Sequence, residues 1–201
     1  MTNDHLRSNN ALPNTTMRII AGSAGRRAIK VPAAVTRPTT DFVRQAIFSI
    51  LAQQVENTRV LDLYAGSGAI GLEALSRGAA ACCFVDEHRQ ATTVISANLT
   101  KSRLPGGHVV RAEVTAFLRR DAAVYDLIFA DPPYCKNAGD HDHIGILLAG
   151  GLVVPRLAPD GWFIAEISAH QASPMAAAWT LVDRREYGSS AILLYAPAVS
   201  A

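Results

Sequence analysis

The sequence predicts an α/β fold: a mostly parallel seven-stranded sheet that ends in an antiparallel hairpin, preceded by a small N-terminal β-hairpin. From residue 59 onward, short apolar runs alternate with stretches of helical spacing, which is typical of βαβ units. Near the end, two more apolar runs flank a Gly-Ser-Ser turn. The 201 residues suffice for a full core, and 49% are hydrophobic against 18% charged, the balance of a globular protein.

Each predicted element rests on its own pattern. The five parallel strands are predicted over Arg59–Tyr64, Ala81–Asp86, His108–Ala112, Tyr125–Ala130 and Trp162–Ile167. The helices between them are predicted to begin near Ala69, His88, Thr115 and His143. The closing hairpin is predicted over Trp179–Tyr187 and Ala191–Tyr195.

The region before the sheet divides into two parts. Residues 1–16 are polar and lack an apolar period, so we predict a disordered tail. Residues 17–54 are predicted as a basic hairpin and a helix, with Thr39 or Thr40 as the helix N-cap. The main domain then spans residues 55–201.

Positive charge is concentrated in this extension. The whole chain has a formal net charge of only +2, yet residues 17–44 hold six basic residues and one acidic residue. Such clustering suits a polyanionic partner such as RNA, although a solvated surface face is the alternative. The candidate RNA-binding residues are Arg18, Arg26, Arg27, Lys30, Arg37 and Arg44.

A glycine loop, Gly66-Ser67-Gly68 with Gly71, follows the first predicted strand and opens a helix. Glycines at such a turn let a nucleotide-like cofactor approach the backbone. Asp86 ends the next strand, where a carboxylate can accept hydrogen bonds from ribose hydroxyls. The same spacing is found in NAD-binding enzymes, so the loop alone does not identify the cofactor.

Two further carboxylates bear on that choice. Asp62, four residues before Gly66, can hold the amino group of the methionine part of S-adenosylmethionine, whereas it would repel a pyrophosphate. Its alternative role is that of a turn-forming acid without a ligand. Glu113 can accept a hydrogen bond from the adenine amine, or it can serve as an N-terminal helix charge.

Asp131-Pro132-Pro133-Tyr134 follows the fourth predicted strand directly. The two prolines remove N–H donors, so the loop presents acceptors. The Asp131 side chain and the Pro132 carbonyl can each accept one hydrogen of an aromatic amine, and Tyr134 supplies a ring on which a base can stack. A proline-stiffened turn is the alternative. The combination with the glycine loop indicates methyl transfer to a base amine, without metal.

Together these residues resemble the bacterial 16S rRNA guanine-N2 methyltransferase family, which has a Rossmann-like class I methyltransferase fold. The resemblance covers roughly residues 17–196 and includes the stretches 17–22, 37–41, 62–79, 131–134 and 187–188. Phe42 stands where such proteins usually carry an arginine. Asp86 replaces a usual glutamate and Glu113 a usual aspartate, and both replacements keep the carboxylate.

The resemblance implies a cytoplasmic enzyme that methylates a guanine N2 in 16S rRNA, either free or in the small subunit. We expect the enzyme to be a monomer. It also implies that Asp62, Tyr64, Gly66 and Gly68 contact the cofactor while Asp131, Pro132 and Tyr134 hold the base. Three alternatives stay open: an adenine-N6 nucleic-acid methyltransferase, an NAD-dependent oxidoreductase and a non-catalytic RNA-binding module. The Asp131-Pro132-Pro133-Tyr134 segment can recognise an amine, but it does not distinguish one base ring from another.

Three further groups of residues are interpreted as structural or accessory, and no membrane span is predicted. Asp140 to His143 is predicted as a polar lid rather than a metal site. Glu73 and Arg77, four residues apart on a helix, are predicted as a surface ion pair. Glu166, near the end of the fifth parallel strand, is interpreted as structural. No apolar stretch approaches the roughly 18 residues of a membrane span, so no membrane association is expected.

Overall fold

The chain is seen in a computed structural model that describes residues 17–32, 40–133 and 141–198. The predicted tail, Arg37, Tyr134 and Asp140 lie outside these residues. The described chain opens with a two-stranded antiparallel hairpin, β1 (Met17–Arg18) and β2 (Ala28–Ile29), which is shorter than predicted. Helix α1 (Asp41–Leu51) and a 3-10 turn (Ala52–Val55) lead to the main sheet.

The main sheet and its helices follow in alternation. The strands are β3 (Arg59–Leu63), β4 (Ala81–Asp86), β5 (Gly107–Arg111), β6 (Tyr125–Ala130), β7 (Leu157–Ser168), β8 (Trp179–Tyr187) and β9 (Ser190–Pro197). The helices are α2 (Ala69–Ser76), α3 (Arg89–Ser102), α4 (Val114–Arg120) and α5 (His143–Ala149), with a 3-10 turn at Val154–Arg156. Within these ranges, no helix is long and apolar enough to cross a bilayer.

The seven strands lie in the order β5-β4-β3-β6-β7-β9-β8. The first five in this order are parallel, and β9 joins antiparallel to both β7 and β8. The predicted parallel sheet with a closing hairpin is thereby confirmed. β7 is twelve residues long and begins five residues before the predicted start, because the strand continues past Gly161 to Leu157.

Helices cover both faces of the sheet. One face packs Val60, Phe84 and Phe129 against α1, α2, α3 and the N-terminal hairpin. The other face packs Leu61, Val85 and Ile128 against α4 and α5. The alternation along each strand thus separates two cores, as expected for a parallel sheet buried on both sides. The hairpin and α1 share the first core. The division of the chain into an extension, residues 17–54, and a main domain, residues 55–201, stays a prediction.

Helix α1 begins as the sequence predicts. Thr40 is its N-cap, with a side-chain oxygen that accepts a hydrogen bond from the Val43 N–H at 3.3 Å. Its buried face consists of Val43, Arg44, Ile47, Phe48 and Leu51. The position of Arg44 on this face was not predicted.

Candidate active site

The candidate site lies where the order of the strands reverses. From β3 the chain moves outward to β4 and β5, then returns to pair β6 with the other side of β3. Ligands of open α/β sheets bind beyond the carboxyl ends of the strands at such a point. Because Leu63 pairs with Ala130, Tyr64 and Asp131 leave the sheet on neighbouring strands. The glycine loop and the Asp-Pro-Pro loop therefore meet at one edge.

The glycine loop is a tight turn with two left-handed residues. Gly66 has φ 54° and Gly68 has φ 76°, values that favour glycine. The Gly68 N–H donates to the Ala65 carbonyl at 2.6 Å and closes the turn before α2 begins. Gly71 has a different role, since a Cβ there would lie 2.3 Å from the Phe84 ring. This third glycine allows α2 to pack closely on β4.

Asp62 is buried beneath this loop. Its carboxylate is 2% exposed and accepts a hydrogen bond from the Gly71 N–H at 3.0 Å. Burial raises the pKa of Asp62 from 3.8 to about 8, with a further increase from the charge of Asp86, while the Gly71 hydrogen bond opposes the rise. A cationic ligand group at this place would compensate the buried charge.

Asp86, at the end of β4, supports the loop from the neighbouring strand. Its two carboxylate oxygens accept hydrogen bonds from the Gly66 N–H at 2.9 Å and the His88 N–H at 2.8 Å. The side chain is almost completely buried. A carboxylate has about four acceptor positions, so these two bonds leave capacity for ribose hydroxyls.

Glu113 adopts the second of its two predicted roles. It is the N-cap of α4, with oxygens that accept from the Thr115 N–H at 2.8 Å and the Ala116 N–H at 2.7 Å. Desolvation raises the pKa of Glu113, but the hydrogen bonds from Thr115 and Ala116 outweigh it and lower the pKa overall. Contact with an adenine amine, which would use the remaining lone pairs, stays a prediction.

The Asp131-Pro132-Pro133 segment contributes its two prolines to one wall of a cavity. The remaining walls come from the start of α5, from Glu166 and Ile167 of β7, and from Gln171. Glu166, which was predicted to be structural, is buried and lines the cavity beside the two prolines. The structure thus brings Pro132 and Pro133 to a recess at the carboxyl edge of the sheet.

Tyr64 joins the glycine loop to this cavity. It is a non-glycine residue with φ 57°, a left-handed conformation that turns the chain sharply out of β3. Its ring centroid lies 5.5 Å from that of His143, which lines the cavity and follows the N-cap Asp142. Burial raises the pKa of Tyr64 to about 12, so the phenol stays neutral at physiological pH.

The histidines near α5 stand beside the cavity without forming a metal site. Across residues 17–32, 40–133 and 141–198, no group of three or more His, Cys, Asp or Glu side chains is arranged to hold a metal ion. His141 and His143 have their rings 6.2 Å apart in an edge-to-face arrangement. A lid function for this segment stays a prediction.

The candidate RNA-binding residues do not share one environment. Arg18, Arg26, Arg27 and Lys30 are exposed on the hairpin. Arg44 is fully buried instead, and its guanidinium donates to the Arg18 carbonyl at 2.6 Å and to Asp41 at 2.9 Å. Its inclusion among the RNA-binding residues was therefore wrong, because a buried guanidinium cannot reach a phosphate.

Glu73 has a role that the sequence did not reveal. The predicted ion pair with Arg77 is present at 2.7 Å, but Glu73 is fully buried rather than on the surface. Its carboxylate also accepts hydrogen bonds from the Ile20 N–H at 2.6 Å and the Ala21 N–H at 3.0 Å. Glu73 therefore attaches the hairpin to α2.

Asn98 on α3 connects the hairpin to the glycine loop. Its Oδ1 accepts from the Lys30 N–H at 2.8 Å, and its Nδ2 donates to the carbonyls of Lys30 at 2.9 Å and Ser67 at 3.0 Å. The sequence carried one signal of this role, since Asn98 falls on the buried stripe of α3 with Ala91 and Ile95. A polar residue on such a stripe needs hydrogen-bond partners.

The chain matches known proteins over nearly its whole length. The family model described as conserved hypothetical protein 95 matches residues 17–196. Ribosomal RNA small subunit methyltransferase D of Escherichia coli K12 is 32% identical over 181 residues, which is 89% of each chain. YlbH of Bacillus subtilis 168, named as a candidate rRNA methyltransferase, is 34% identical over 89% of this chain and 98% of that one.

A solved structure agrees with these sequence matches. An Escherichia coli protein described as a candidate methyltransferase superimposes with a TM-score of 0.78 at 30% identity, over 92% of this chain and 99% of that one. Family membership decides between the enzyme classes that the glycine spacing left open, in favour of a methyltransferase. The chain therefore belongs to the conserved hypothetical protein 95 family and is a methyltransferase with a Rossmann-like fold.

Proposed function

We propose that this enzyme transfers a methyl group from S-adenosylmethionine to the exocyclic N2 amine of a guanine in 16S rRNA of the small ribosomal subunit. The observation that carries the proposal is the pairing of Leu63 with Ala130, which brings the glycine loop and the Asp131-Pro132 loop to the same edge. The name of the Escherichia coli relative supports the choice of small-subunit rRNA. Action in the cytoplasm, as a monomer, is part of the proposal.

The residues around the glycine loop fit this cofactor chemically. Asp62 is a buried carboxyl group whose pKa burial raises. The ammonium group of the methionine part would stabilise its ionised form. Asp86 would accept the ribose hydroxyls and Glu113 the adenine amine, with Tyr64, Gly66, Ser67 and Gly68 forming the surrounding wall. When bound, the cofactor supplies an electrophilic methyl that carries its own leaving group.

The protein's contribution to the reaction is to orient the amine. The nitrogen lone pair of guanine N2 is delocalised into the ring, so the amine is a poor nucleophile. Asp131 and the Pro132 carbonyl would each accept one amine hydrogen and direct the lone pair at the methyl. Orientation of this kind lowers barriers by roughly 7 to 11 kcal/mol in the best model systems. The nitrogen loses one proton as the new bond forms, and the Asp131 carboxylate would accept it.

Binding of the base requires contacts beyond the amine. Tyr134 would stack on the extruded ring, for which about 1 to 3 kcal/mol per base is typical. The exposed hairpin residues Arg18, Arg26, Arg27 and Lys30 would contact phosphates, as would Arg37. Adenine N6 remains the alternative acceptor, because two hydrogen-bond acceptors recognise any aromatic amine.

The test is a methylation assay on 30S particles, 50S particles and free 16S rRNA from cells that lack the modification, followed by nucleoside mass spectrometry. N2-methylguanosine confined to 16S rRNA is the expected product. N6-methyladenosine would overturn the choice of base, and a product confined to 50S particles would overturn the choice of RNA.

Asp131→Ala tests the proposed mechanism in the same assay. Turnover is expected to fall at least about a hundredfold, as for the removal of one electrostatic group at a reacting centre. The affinity for S-adenosylhomocysteine, measured by calorimetry, should stay within a few fold of the wild-type value, because Asp131 is proposed to bind the base amine and not the cofactor. Asp160→Ala, an exposed carboxylate at the other end of the sheet, is the matched control. Normal turnover in Asp131→Ala would disprove the role.

A further inference from the structure

Phe42 and Tyr187 form an aromatic pair at the same edge of the sheet as the Asp131-Pro132-Pro133 segment. Tyr187 is the last residue of β8 and pairs with Ser190, which in turn pairs with Ser168 at the end of β7. The β8–β9 turn therefore lies at the carboxyl edge of the sheet. Tyr187 is three strands from β6, or roughly 14 Å at the usual strand spacing. A few nucleotides of RNA span such a distance.

Phe42 completes the pair from helix α1. Its ring centroid lies 5.7 Å from that of Tyr187, with the ring planes at 79° in an edge-to-face contact. Tyr187 is partly buried and packs against the first core. Phe42 is 68% exposed, so Tyr187 supports its ring on one side while most of it faces solvent. A large aromatic group held in this way is available to a planar ligand.

The charges beside Phe42 favour RNA over an apolar protein surface. Asp41 is bonded by both Arg18, at 3.2 Å, and Arg44, at 2.9 Å. This group of three keeps one net positive charge at the residue that precedes Phe42 on α1. The exposed guanidinium of Arg185 lies two residues from Tyr187 and pairs with Asp183 at 2.7 Å. An aromatic face flanked by guanidinium groups is the usual environment for an unpaired base near its phosphates.

We propose that Phe42, supported by Tyr187, is a stacking surface for an unpaired base of the substrate RNA that neighbours the target guanine. The proposal rests on the RNA methyltransferase function above and adds a second base contact to it. Stacking is tolerant of base identity because every base has a π face. The contact would therefore position the strand rather than read its sequence.

The test measures binding of free 16S rRNA by filter retention for the wild type, Phe42→Ala, Phe42→Leu and Phe42→Trp. We expect Phe42→Ala and Phe42→Leu to weaken binding to a similar extent, by about 5- to 100-fold, and Phe42→Trp to retain it. The ratio of wild-type to Phe42→Ala affinity should be the same at low and high KCl, because stacking releases few counterions. Val124→Ala, an exposed apolar residue at the opposite edge of the sheet, should bind normally.

Two outcomes would overturn the proposal. Equal binding by the wild type and Phe42→Ala would show that the ring does not contact RNA. Wild-type binding by Phe42→Leu alongside a loss in Phe42→Ala would show a general apolar contact instead of stacking. Melting temperatures should change little, since Phe42 is largely exposed and its variants lose only the ring contact with Tyr187. Binding is measured without turnover, so a wild type that forms no N2-methylguanosine would contradict only the proposed function.

Discussion

The Asp62 carboxyl group lies in a place where water cannot stabilise its negative charge. In the unfolded chain the carboxyl titrates near 3.8, whereas in the folded protein its pKa is about 8. Between these pH values the folded state binds a proton that the unfolded state has lost. Ionisation of Asp62 thus lowers stability as the pH rises from about 4 to 8, when no cation is bound.

Cofactor binding should reverse this penalty and release a proton. At pH 7 the carboxyl is mostly protonated, and pairing with an ammonium group requires the ionised form. We expect calorimetry of S-adenosylhomocysteine binding in buffers of different ionisation enthalpy to show the release of most of one proton per site. Affinity should increase as the pH rises toward 8.

Asp62→Asn provides the control for this measurement. Without a carboxyl group, proton release should disappear, and affinity should fall most near pH 8, where the wild-type carboxyl is ionised. An identical dependence on buffer enthalpy in the wild type and Asp62→Asn would show that the proton comes from another group. Asp126→Asn, a carboxyl at the start of β6, should leave both quantities unchanged.

Single residues show what a sequence does and does not reveal. Asp62 and Asp86 could be located because each lies at the end of a strand beside a glycine loop, and their local pattern determines their position. The role of Glu73 could not be predicted in this way, because its partners Ile20 and Ala21 are more than 50 residues away in the chain. Arg44 was interpreted by charge alone, although its spacing of four and seven from Phe48 and Leu51 placed it on the buried face.

At the scale of elements, the N-terminal hairpin depends on α2 for its stability. Each of its strands is two residues long, and such a small ribbon is marginal alone. Glu73 and Ser76 supply acceptors for its backbone, including the Ala24 N–H at 2.9 Å from Ser76 Oγ. Gly22 comes so close that a Cβ would lie 1.8 Å from the Ser76 carbonyl oxygen.

Glu73→Ala is expected to detach the hairpin before the sheet unfolds. Loss of the carboxylate leaves the Ile20 and Ala21 N–H groups without their acceptor, at a cost of about 1 to 3 kcal/mol per unsatisfied buried group. Hydrogen exchange should show faster exchange of these two amides, and denaturant titration a lower free energy of unfolding. Glu56→Ala, an exposed glutamate, should leave both unchanged. Slow exchange retained in Glu73→Ala would contradict this role.

Elements were predicted better than the contacts between them. The strand positions followed from apolar runs of suitable length, and β4, β6 and β8 have the bounds that the sequence predicts. Each run is a local property of the chain. The pairing of β3 with β6 joins segments that other helices and strands separate in the chain, and no local pattern determines it.

At the scale of the whole molecule, the distribution of charge matters more than its sum. A net charge of +2 predicts weak attraction to RNA, but the hairpin concentrates positive charge on one side. Phosphate contacts release counterions, so their contribution decreases with salt. The Arg27 guanidinium already donates a hydrogen bond to the Ser102 carbonyl of α3, so it is less available to RNA phosphates. Arg26 and Lys30 are therefore the better residues for a test.

Arg26→Gln with Lys30→Gln should weaken RNA binding most at low salt. Each lost phosphate contact is expected to reduce the slope of log affinity against log salt by roughly 0.7 to 0.9. Filter binding over a KCl series measures this slope. Arg119→Gln with Arg120→Gln, two exposed arginines at the end of α4, is the matched control. Equal slopes in the two double variants would show that the hairpin does not bind phosphates.

The burial of Glu73 also limits how this architecture can be recombined. A designer who moves residues 17–32 onto another methyltransferase transfers the positive charges but not their support. The recipient helix must carry a carboxylate and, three residues later, a hydroxyl at the positions of Glu73 and Ser76. Without both, the transplanted segment would lose the acceptors that α2 provides for its backbone, and among the described residues only the contact of Lys30 with Asn98 of α3 could replace them. The hairpin and α2 can therefore be exchanged between proteins only together, although α1 and β3 lie between them in the chain.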